Sequence, residues 1–255
     1  AGQVNGETVD LRSVVSEDSD LNILTFNDEE GKLAFRHTAS HVLAQAVKRL
    51  YPEAKLAIGP AIEDGFYYDF DMAPLTREDL DAIEKEMKKV IKENPPIERY
   101  ELPREEAIAY MKEKDEPYKV ELIEDLPEDA TISFYKQGDF TDLCAGPHLM
   151  SVKPIKAFKL TASSGAYWRG NENNKMLTRI YGTAYTKKAD LEERLKYLEE
   201  IKLRDHNRLG REMELFTSVD VIGQGLPLLL PKGAKIIQTL SLIHISEPTR
   251  PLYIS

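Results

Sequence analysis

The sequence contains one cysteine, no long apolar run and no excess of basic residues. A single cysteine cannot form an internal disulfide, which favours a reducing compartment and a cytoplasmic location. No apolar run approaches the roughly 20 residues that span a bilayer, so we expect no membrane partner. The net charge of -10 argues against a non-specific nucleic-acid binder, although it leaves room for local basic patches.

The sequence also lacks several short signals. Its start, AGQVNGETVD, has no initiator methionine and none of the regions of a signal peptide, so we expect the sequence to begin within a longer protein. The phosphate-loop motif, GxGxxG and GxSxG are all absent. No ATP site is therefore predicted.

What remains is typical of a globular protein, and the order of strand and helix patterns predicts an α+β fold with helices packed on antiparallel sheet. Apolar spacing and turn signals predict a hairpin at Asn5-Gly6, a strand in LNILTF, a linker at 27–32, a helix at 35–50, a hairpin turning at Asp64-Gly65, a helix at 76–93 capped by Thr76, a helix from Pro103, strands at 119–123, 156–161 and 176–185, and one long connector helix at 188–215.

Four residues with reactive side chains fall into two short motifs. His37 and His41 are four residues apart on a predicted helix, so both imidazoles lie on one face. Cys144 and His148 have the same spacing, but Gly146 and Pro147 between them exclude a helix and predict a loop or the end of a strand. This concentration of the only cysteine and three of the five histidines predicts one joint site.

The chemistry of this site has two interpretations. The quartet can hold Zn²⁺ tetrahedrally, or it can work without metal as acid and base groups around a water. Asp142 would share a face with Cys144 in extended backbone and orient a histidine or the water. His206 and His244 have no partner motif and are interpreted as structural.

Several segments, in this order, resemble the N-terminal part of bacterial threonyl-tRNA synthetases: RHTASHVLAQAVKRLYP, AIGPAIEDGFYYDFD, PYKVELI, TDLCAGPH, GAYWRG, NKMLTRIYGTA and RDHNRLGREMELF. The HxxxH…CxxxH pattern alone is shared with alanyl-type synthetases and their free-standing editing relatives. The front of the chain, VNGE…LNILTF, resembles the second half of a ubiquitin-like TGS domain, which favours the threonyl family.

This resemblance implies an editing hydrolase that acts in protein biosynthesis. In this family the domain hydrolyses serine wrongly esterified to threonine tRNA, because a synthetic site for threonine cannot strongly reject serine. The implied partner is the 3′ end of threonine tRNA. The implied site residues are His37, His41, Asp142, Cys144 and His148, together with Lys119, whose alternative interpretation is a surface lysine at a strand edge.

The resemblance also implies cofactors and a domain order. Threonyl editing sites work without metal, whereas alanyl-type relatives use zinc, so we expect no cofactor in this chain. The expected divisions are a partial TGS-like domain at 1–27, the editing domain at 34–186, a helical linker at 187–217 and the start of a class II aminoacylation domain at 218–240.

The last segment, 241–255, resembles translated sequencing-adapter read-through, with a natural divergent tail as the alternative. The resemblance places the ligase site, with its ATP, magnesium and zinc, and the family's homodimer interface beyond this sequence. We therefore expect editing but no aminoacylation. Two other hypotheses stay open, namely a free-standing trans-editing protein of alanyl type and a non-catalytic tRNA-binding appendage.

Overall fold

The structure is a computed structural model that describes residues 1–219, 221–223 and 225–243. In chain order its elements are β1 Gly2–Val4, β2 Glu7–Val9, β3 Leu21–Ile23, α1 Glu29–Leu50, β4 Lys55–Leu56, β5 Ala61–Ile62, β6 Gly65–Asp71, α2 Arg77–Glu93, β7 Ile97–Glu101, α3 Arg104–Glu113, α4 Pro117–Glu124, β8 Ser133–Gln137, β9 Phe140–Leu143, β10 Ala157–Tyr167, β11 Met176–Tyr185, α5 Lys188–Leu203, α6 His206–Glu212, β12 Phe216–Thr217, β13 Leu228–Leu229 and α7 Pro231–Ser241.

These helices and antiparallel sheets confirm the predicted α+β class. The chain divides into two compact units, the first ending at Leu191 and the second beginning at Glu192. The finer division predicted from the sequence, with boundaries at 27, 34, 186, 217 and 240, stays a prediction. Among the described residues no helix has the length and apolarity needed to span a membrane.

The first unit opens with a three-stranded sheet in the order β2-β1-β3. Val4 pairs with Glu7 around the Asn5-Gly6 turn, which confirms the predicted hairpin. The predicted strand in LNILTF is confirmed for its first three residues.

Helix α1 begins six residues earlier than the apolar pattern predicts, so the predicted linker at 27–32 is wrong from residue 29 onward. Glu29 and Glu30 suit the first turn, where carboxylates interact favourably with the helix dipole. Gly31 is a helix residue and not a loop signal. A Cβ atom there would lie 1.8 Å from the carbonyl oxygen of Thr25, so glycine lets the helix approach the segment before it.

The central sheet has the order β10-β11-β6-β4, with β5 also paired to β6. The predicted hairpin is present, but Ile62 pairs with Gly65, so its turn lies one residue earlier than expected. Strand β11 has its predicted bounds, and β10 runs six residues past the predicted end at residue 161. Helices α1 and α2 pack against this sheet, and their shared apolar core includes Leu43, Met87 and Phe70.

Helix α2 confirms the predicted cap and apolar stripe. The hydroxyl of Thr76 accepts a hydrogen bond from the N–H of Asp79, whose carboxylate accepts the N–H of Thr76 in return. The stripe residues Leu80, Ile83, Met87 and Val90 are all buried. Helix α3 follows Pro103, as predicted.

The strand predicted at 119–123 is wrong, because residues 117–124 form helix α4. Pro117 occupies the first turn, where its fixed φ favours helix and its lack of an N–H has no cost. Val120 and Ile123 then face a second apolar cluster, three residues apart as in a helix. A sheet in the order β7-β8-β9, which the sequence did not predict, completes this unit.

The second unit contains most of α5, which crosses Leu191, together with α6, α7 and the paired strands β12 and β13. The single helix predicted at 188–215 is wrong. The carboxylate of Asp205 accepts the N–H of Arg208 and caps a separate helix α6, so the chain ends one helix and starts another there.

Candidate active site

Helix α1 carries the first histidine pair. The rings of His37 and His41 lie 5.4 Å apart, as expected for residues one turn apart on one face. His41 is buried and His37 is half-buried at the wall of a pocket. The hydroxyl oxygen of Ser40 lies 2.8 Å from the carbonyl oxygen of His37 and 2.7 Å from that of Gly59, so this turn of the helix is close to the loop opposite.

The loop after β9 carries the second pair, as predicted from Gly146 and Pro147. The Sγ atom of Cys144 lies 3.2 Å from Nε2 of His37 and 3.3 Å from Nε2 of His148. Gly146 has a φ of 77°, and a Cβ atom there would lie 2.1 Å from the hydroxyl oxygen of Tyr135. Glycine is therefore required for the turn that brings His148 back onto the cysteine.

A charged pair lies beside these four residues. Nζ of Lys119 lies 2.7 Å from Oδ1 of Asp142, and the side chains of both are almost completely buried. The other carboxylate oxygen, Oδ2, accepts the hydroxyl of Tyr68 at 2.6 Å and lies 3.7 Å from Nε2 of His41. The strand-edge interpretation of Lys119 is thus wrong, because helix α4 directs this residue inward.

Burial dominates the protonation of the quartet. It lowers the pKa of His37 to about 4 and that of His41 to about 3, and it holds the pKa of His148 well below its ordinary value. It also raises the pKa of the Cys144 thiol to about 12. At neutral pH the site therefore contains three uncharged imidazoles and an uncharged thiol.

Asp142 stays ionised in the same surroundings. Burial alone would raise the pKa of its carboxyl group, but the adjacent Lys119 ammonium, with His41 and the Tyr68 hydroxyl, outweighs burial and holds the pKa below its usual value. The pair of Lys119 and Asp142 gives the site one fixed positive and one fixed negative charge.

These groups open onto one pocket of about 600 Å³. Five of the six residues predicted from the sequence line this pocket: His37, His41, Lys119, Asp142 and Cys144. The sixth, His148, lies behind Cys144 and contacts its sulfur. Apolar side chains such as Ile58 and Leu122 form much of the remaining wall, and Thr8 of the N-terminal sheet reaches its rim. Pockets of this size and character accommodate small organic ligands.

Comparison with known proteins gives a consistent assignment. Residues 132–181 match the family described as the threonyl and alanyl tRNA synthetase second additional domain. The chain is 63% identical over 254 residues to a threonine–tRNA ligase of Clostridium botulinum, strain Alaska E43, covering 99% of this chain and 39% of that protein. The ligase of Clostridium tetani is 65% identical over 252 residues, covering 98% and 39%, and that of Acetivibrio thermocellus is 64% identical over 234 residues, covering 91% and 37%.

Nearly all of this chain is therefore similar to a part of the threonine–tRNA ligases. The comparisons confirm the resemblance on which the threonyl assignment rested. The chain spans about 39% of the length of the curated ligases that it matches. The segment matched to the second additional domain contains Asp142, Cys144 and His148, whereas both α1 histidines and Lys119 lie before it.

The sequence interpretation of this ligase relative did not include three residues of the site. Tyr68 is the only hydroxyl-bearing member of the alternating set Phe66, Tyr68 and Phe70 on β6, and a buried tyrosine needs a hydrogen-bond partner, which was an available signal. Asp10 and Thr38 contact His148 from a distant segment and from α1. Their sequence positions carry no comparable signal.

The quartet has a donor set suited to a metal. The ligand atoms of His37, His41, Cys144 and His148 all lie within 4.8 Å of one another. Imidazole nitrogen and thiolate sulfur are ligands that Zn²⁺ prefers. Of the other two histidines, His206 is exposed in the second unit, and His244 lies outside the described residues.

Proposed function

We propose that this chain hydrolyses the ester bond between serine and the 3′-terminal adenosine of a threonine tRNA. One observation carries the proposal: the uncharged imidazoles of His37 and His41 and a buried Lys119–Asp142 pair line one pocket, with a third uncharged imidazole, His148, directly behind Cys144. Uncharged imidazole is the form that accepts a proton from water, and a fixed ammonium is suited to a developing oxyanion. The curated relatives, named as threonine–tRNA ligases, supply the class of substrate.

The need for such a site follows from the chemistry of ligation. A pocket that accepts threonine cannot strongly reject serine, which only lacks a methyl group, so a second site must remove the error. In this proposal the whole protein ligates threonine with ATP elsewhere in its sequence, and residues 34–186 provide the second site. The pocket must then admit serine and exclude the extra methyl of threonine by its shape.

The proposed reaction begins with the activation of a water molecule. Nε2 of His37 or His148 accepts a proton from the water as its oxygen attacks the ester carbonyl carbon. The carbonyl oxygen gains negative charge, which the Lys119 ammonium stabilises at the pocket wall. The bond to the ribose oxygen then breaks, and that oxygen takes the proton back from the imidazolium. The products are free serine and tRNA.

Cys144 has a supporting role in this scheme. Its thiol pKa of about 12 means that almost no thiolate is present at neutral pH, and the thiolate is the nucleophilic form. Cys144 is therefore a neutral hydrogen-bonding group between His37 and His148 and not a covalent nucleophile. No acyl-enzyme intermediate is expected.

The substrate reaches the pocket as a single-stranded end. The 3′ end of a tRNA is unpaired, and proteins bind such ends by apolar and stacking contacts with the base. The apolar wall that includes Ile58 and Leu122 suits the adenine ring, and the polar wall suits the ester. The net charge of -10 means that recognition depends on local contacts and not on overall attraction.

The test is a deacylation assay with three substrates: serine-charged threonine tRNA, threonine-charged threonine tRNA and serine-charged alanine tRNA. Release of serine from threonine tRNA alone is the expected result. Release from alanine tRNA would favour a trans-editing protein of alanyl type. A folded protein that releases nothing would contradict the proposal and favour a tRNA-binding appendage.

Variants connect the activity to the site. His37→Ala and His148→Ala are each expected to abolish deacylation while leaving circular dichroism unchanged. The matched control is His206→Ala, which removes an exposed histidine of the second unit. A folded double variant of His37 and His148 that still released serine would show that the site is elsewhere.

A further inference from the structure

Thr38 lies between the two α1 histidines in sequence and is fully buried. Its Oγ1 atom has three polar neighbours: the carbonyl oxygen of Ala34 at 2.8 Å, the backbone nitrogen of Leu149 at 2.9 Å and Nδ1 of His148 at 3.2 Å. The reaction scheme above gives this hydroxyl no role. Its three contacts nevertheless determine which ring nitrogen of His148 carries a hydrogen.

The single hydroxyl proton of Thr38 determines which atom is the donor in each of its three hydrogen bonds. A hydroxyl has one proton to donate and two lone pairs that accept. The N–H of Leu149 can only donate, so it occupies one lone pair. The carbonyl of Ala34 can only accept, so the shortest of the three contacts takes the hydroxyl proton. The remaining lone pair faces His148, and Nδ1 of that ring must then carry a hydrogen and donate it.

The reverse arrangement is less favourable. If Thr38 donated to Nδ1, the proton of the neutral His148 ring would be on Nε2 and would point at Sγ of Cys144. That sulfur already accepts the N–H of Gly146 at 3.3 Å, and thiol sulfur is a weak acceptor. The Ala34 carbonyl would also lose its hydroxyl donor.

We propose that Thr38 is a positioning residue that fixes His148 as the Nδ1–H tautomer, so that its Nε2 lone pair faces Sγ of Cys144. The consequence for chemistry, which rests on the proposed function, is that His148 is available as a proton acceptor on the correct nitrogen. Thr38 itself touches no reacting atom in this scheme.

His37 contacts the sulfur of Cys144 from helix α1. Nε2 of His37 lies 3.2 Å from Sγ of Cys144, and Nε2 of His148 lies 3.3 Å from the same sulfur. The Nε2 atoms of His37 and His148 therefore both contact a sulfur that carries one hydrogen. The thiol proton can be donated to only one of these nitrogens, and the other is left to accept a proton from water.

The first experiment measures the tautomer directly in the unaltered protein. The full chain is labelled with ¹⁵N-histidine, and the two ring nitrogens of His148 are assigned by comparison with His148→Asn. Spectra near pH 7.5 distinguish a nitrogen that carries hydrogen from one that does not. We expect hydrogen on Nδ1 of His148, and hydrogen on Nε2 would overturn the proposal whether or not the protein deacylates any tRNA.

The second experiment changes the hydroxyl alone. Thr38→Ser keeps Oγ and should keep both the Nδ1–H tautomer and the rate. Thr38→Val keeps the shape without the hydroxyl, so Nδ1–H loses its acceptor and the ring should turn almost entirely to the Nε2–H tautomer. For serine-charged threonine tRNA, kcat of Thr38→Val should fall by roughly 10²-fold, the scale of a lost general base, with KM little changed.

These readouts separate the two proposals. A folded Thr38→Val that retained the single Nδ1–H tautomer would overturn the role of Thr38. Should that variant fail to fold, the spectrum of the unaltered protein and the Thr38→Ser comparison still decide the question. Absence of deacylation in the unaltered protein would count against the proposed function alone, because the tautomer is read without substrate.

Discussion

Oδ2 of Asp10 accepts the backbone N–H of His148 at 3.2 Å and joins the N-terminal sheet to the loop of the candidate site. The same oxygen accepts the hydroxyl of Tyr135 at 2.9 Å. Arg12 pairs with this carboxylate and donates to the carbonyl oxygen of Leu149. Burial would raise the pKa of Asp10, but these hydrogen bonds outweigh it and hold the pKa below its ordinary value. The N-terminal segment is therefore part of the support of the site.

Replacement of Asp10 by asparagine tests this support. An amide has one acceptor oxygen and cannot accept from Arg12, Tyr135 and His148 together, so we expect a loss of about 1–3 kcal/mol in the free energy of unfolding. Displacement of the His148 loop should also reduce deacylation by an order of magnitude or more, since reaction rates are sensitive to misplacement on the order of 1 Å.

Urea unfolding and single-turnover deacylation measure these two effects. Asp18→Asn is the matched control, because Asp18 is exposed in the same segment. Equal behaviour of the two variants would show that the N-terminal segment is only tethered to the site.

Substitutions in the Lys119–Asp142 pair are expected to affect folding stability and deacylation differently. Lys119→Met leaves the buried carboxylate of Asp142 without its cation and should cost roughly 3–5 kcal/mol of unfolding free energy. Adding Asp142→Asn removes the stranded charge, so the double variant should recover much of that loss. Both variants should be inactive in deacylation, because the ammonium is absent from each.

A complete double-mutant cycle by urea unfolding gives the coupling between the two residues. Additive losses would mean that the two charges do not stabilise each other. An active double variant would remove Lys119 from the proposed mechanism while leaving the ion pair as a structural feature.

Periodicity predicted the elements whose stability is local. Helix α2 has its cap, its acidic first turn and its apolar stripe all within its own sequence, and it formed as predicted. Helix α4 shows where this reasoning fails, because PYKVELI is short and rich in residues that suit strands. Its helical state depends on Pro117 at the first turn and on burial of Val120 and Ile123 against α3 and β8, which lie outside the segment itself.

The candidate site divides in the same way. The pairs His37 with His41 and Cys144 with His148 each follow from spacing within one short segment, so the sequence revealed them. Asp10 contacts His148, 138 positions away, and Tyr68 contacts Asp142, 74 positions away. No local sequence pattern predicts such pairings. Burial of Lys119 likewise follows from the position of α4 in the fold, which the predicted strand would not have given.

The metal question has a direct test. The quartet can coordinate Zn²⁺, but the proposed reaction uses an imidazole base and requires no metal. We expect dialysis against EDTA and 1,10-phenanthroline to leave deacylation unchanged and added zinc to inhibit it by occupying the imidazoles. Elemental analysis beside the assay completes the test, and one equivalent of zinc whose removal abolished activity would replace the imidazole scheme by a zinc-bound water.

The buried imidazoles predict how stability depends on pH. The pKa of His37 is lowered to about 4 and that of His41 to about 3, whereas both should titrate near 6.5 in the unfolded chain. Below about pH 6.5 the unfolded state therefore binds protons that the folded state does not, and folding stability falls as the pH falls. Above pH 6.5 both states are uncharged at these positions, and the contribution is constant.

The slope of the unfolding free energy between pH 6 and pH 4.5 measures this effect. Each buried histidine contributes up to about 1.4 kcal/mol per pH unit to that slope. His41→Asn should make the slope shallower, because one buried group that resists protonation has been removed. His206→Asn alters an exposed histidine and should leave the slope as it is. Equal slopes for the unaltered protein and His41→Asn would mean that His41 takes up a proton in the folded state near its ordinary pKa, which would contradict the uncharged state assigned to its imidazole.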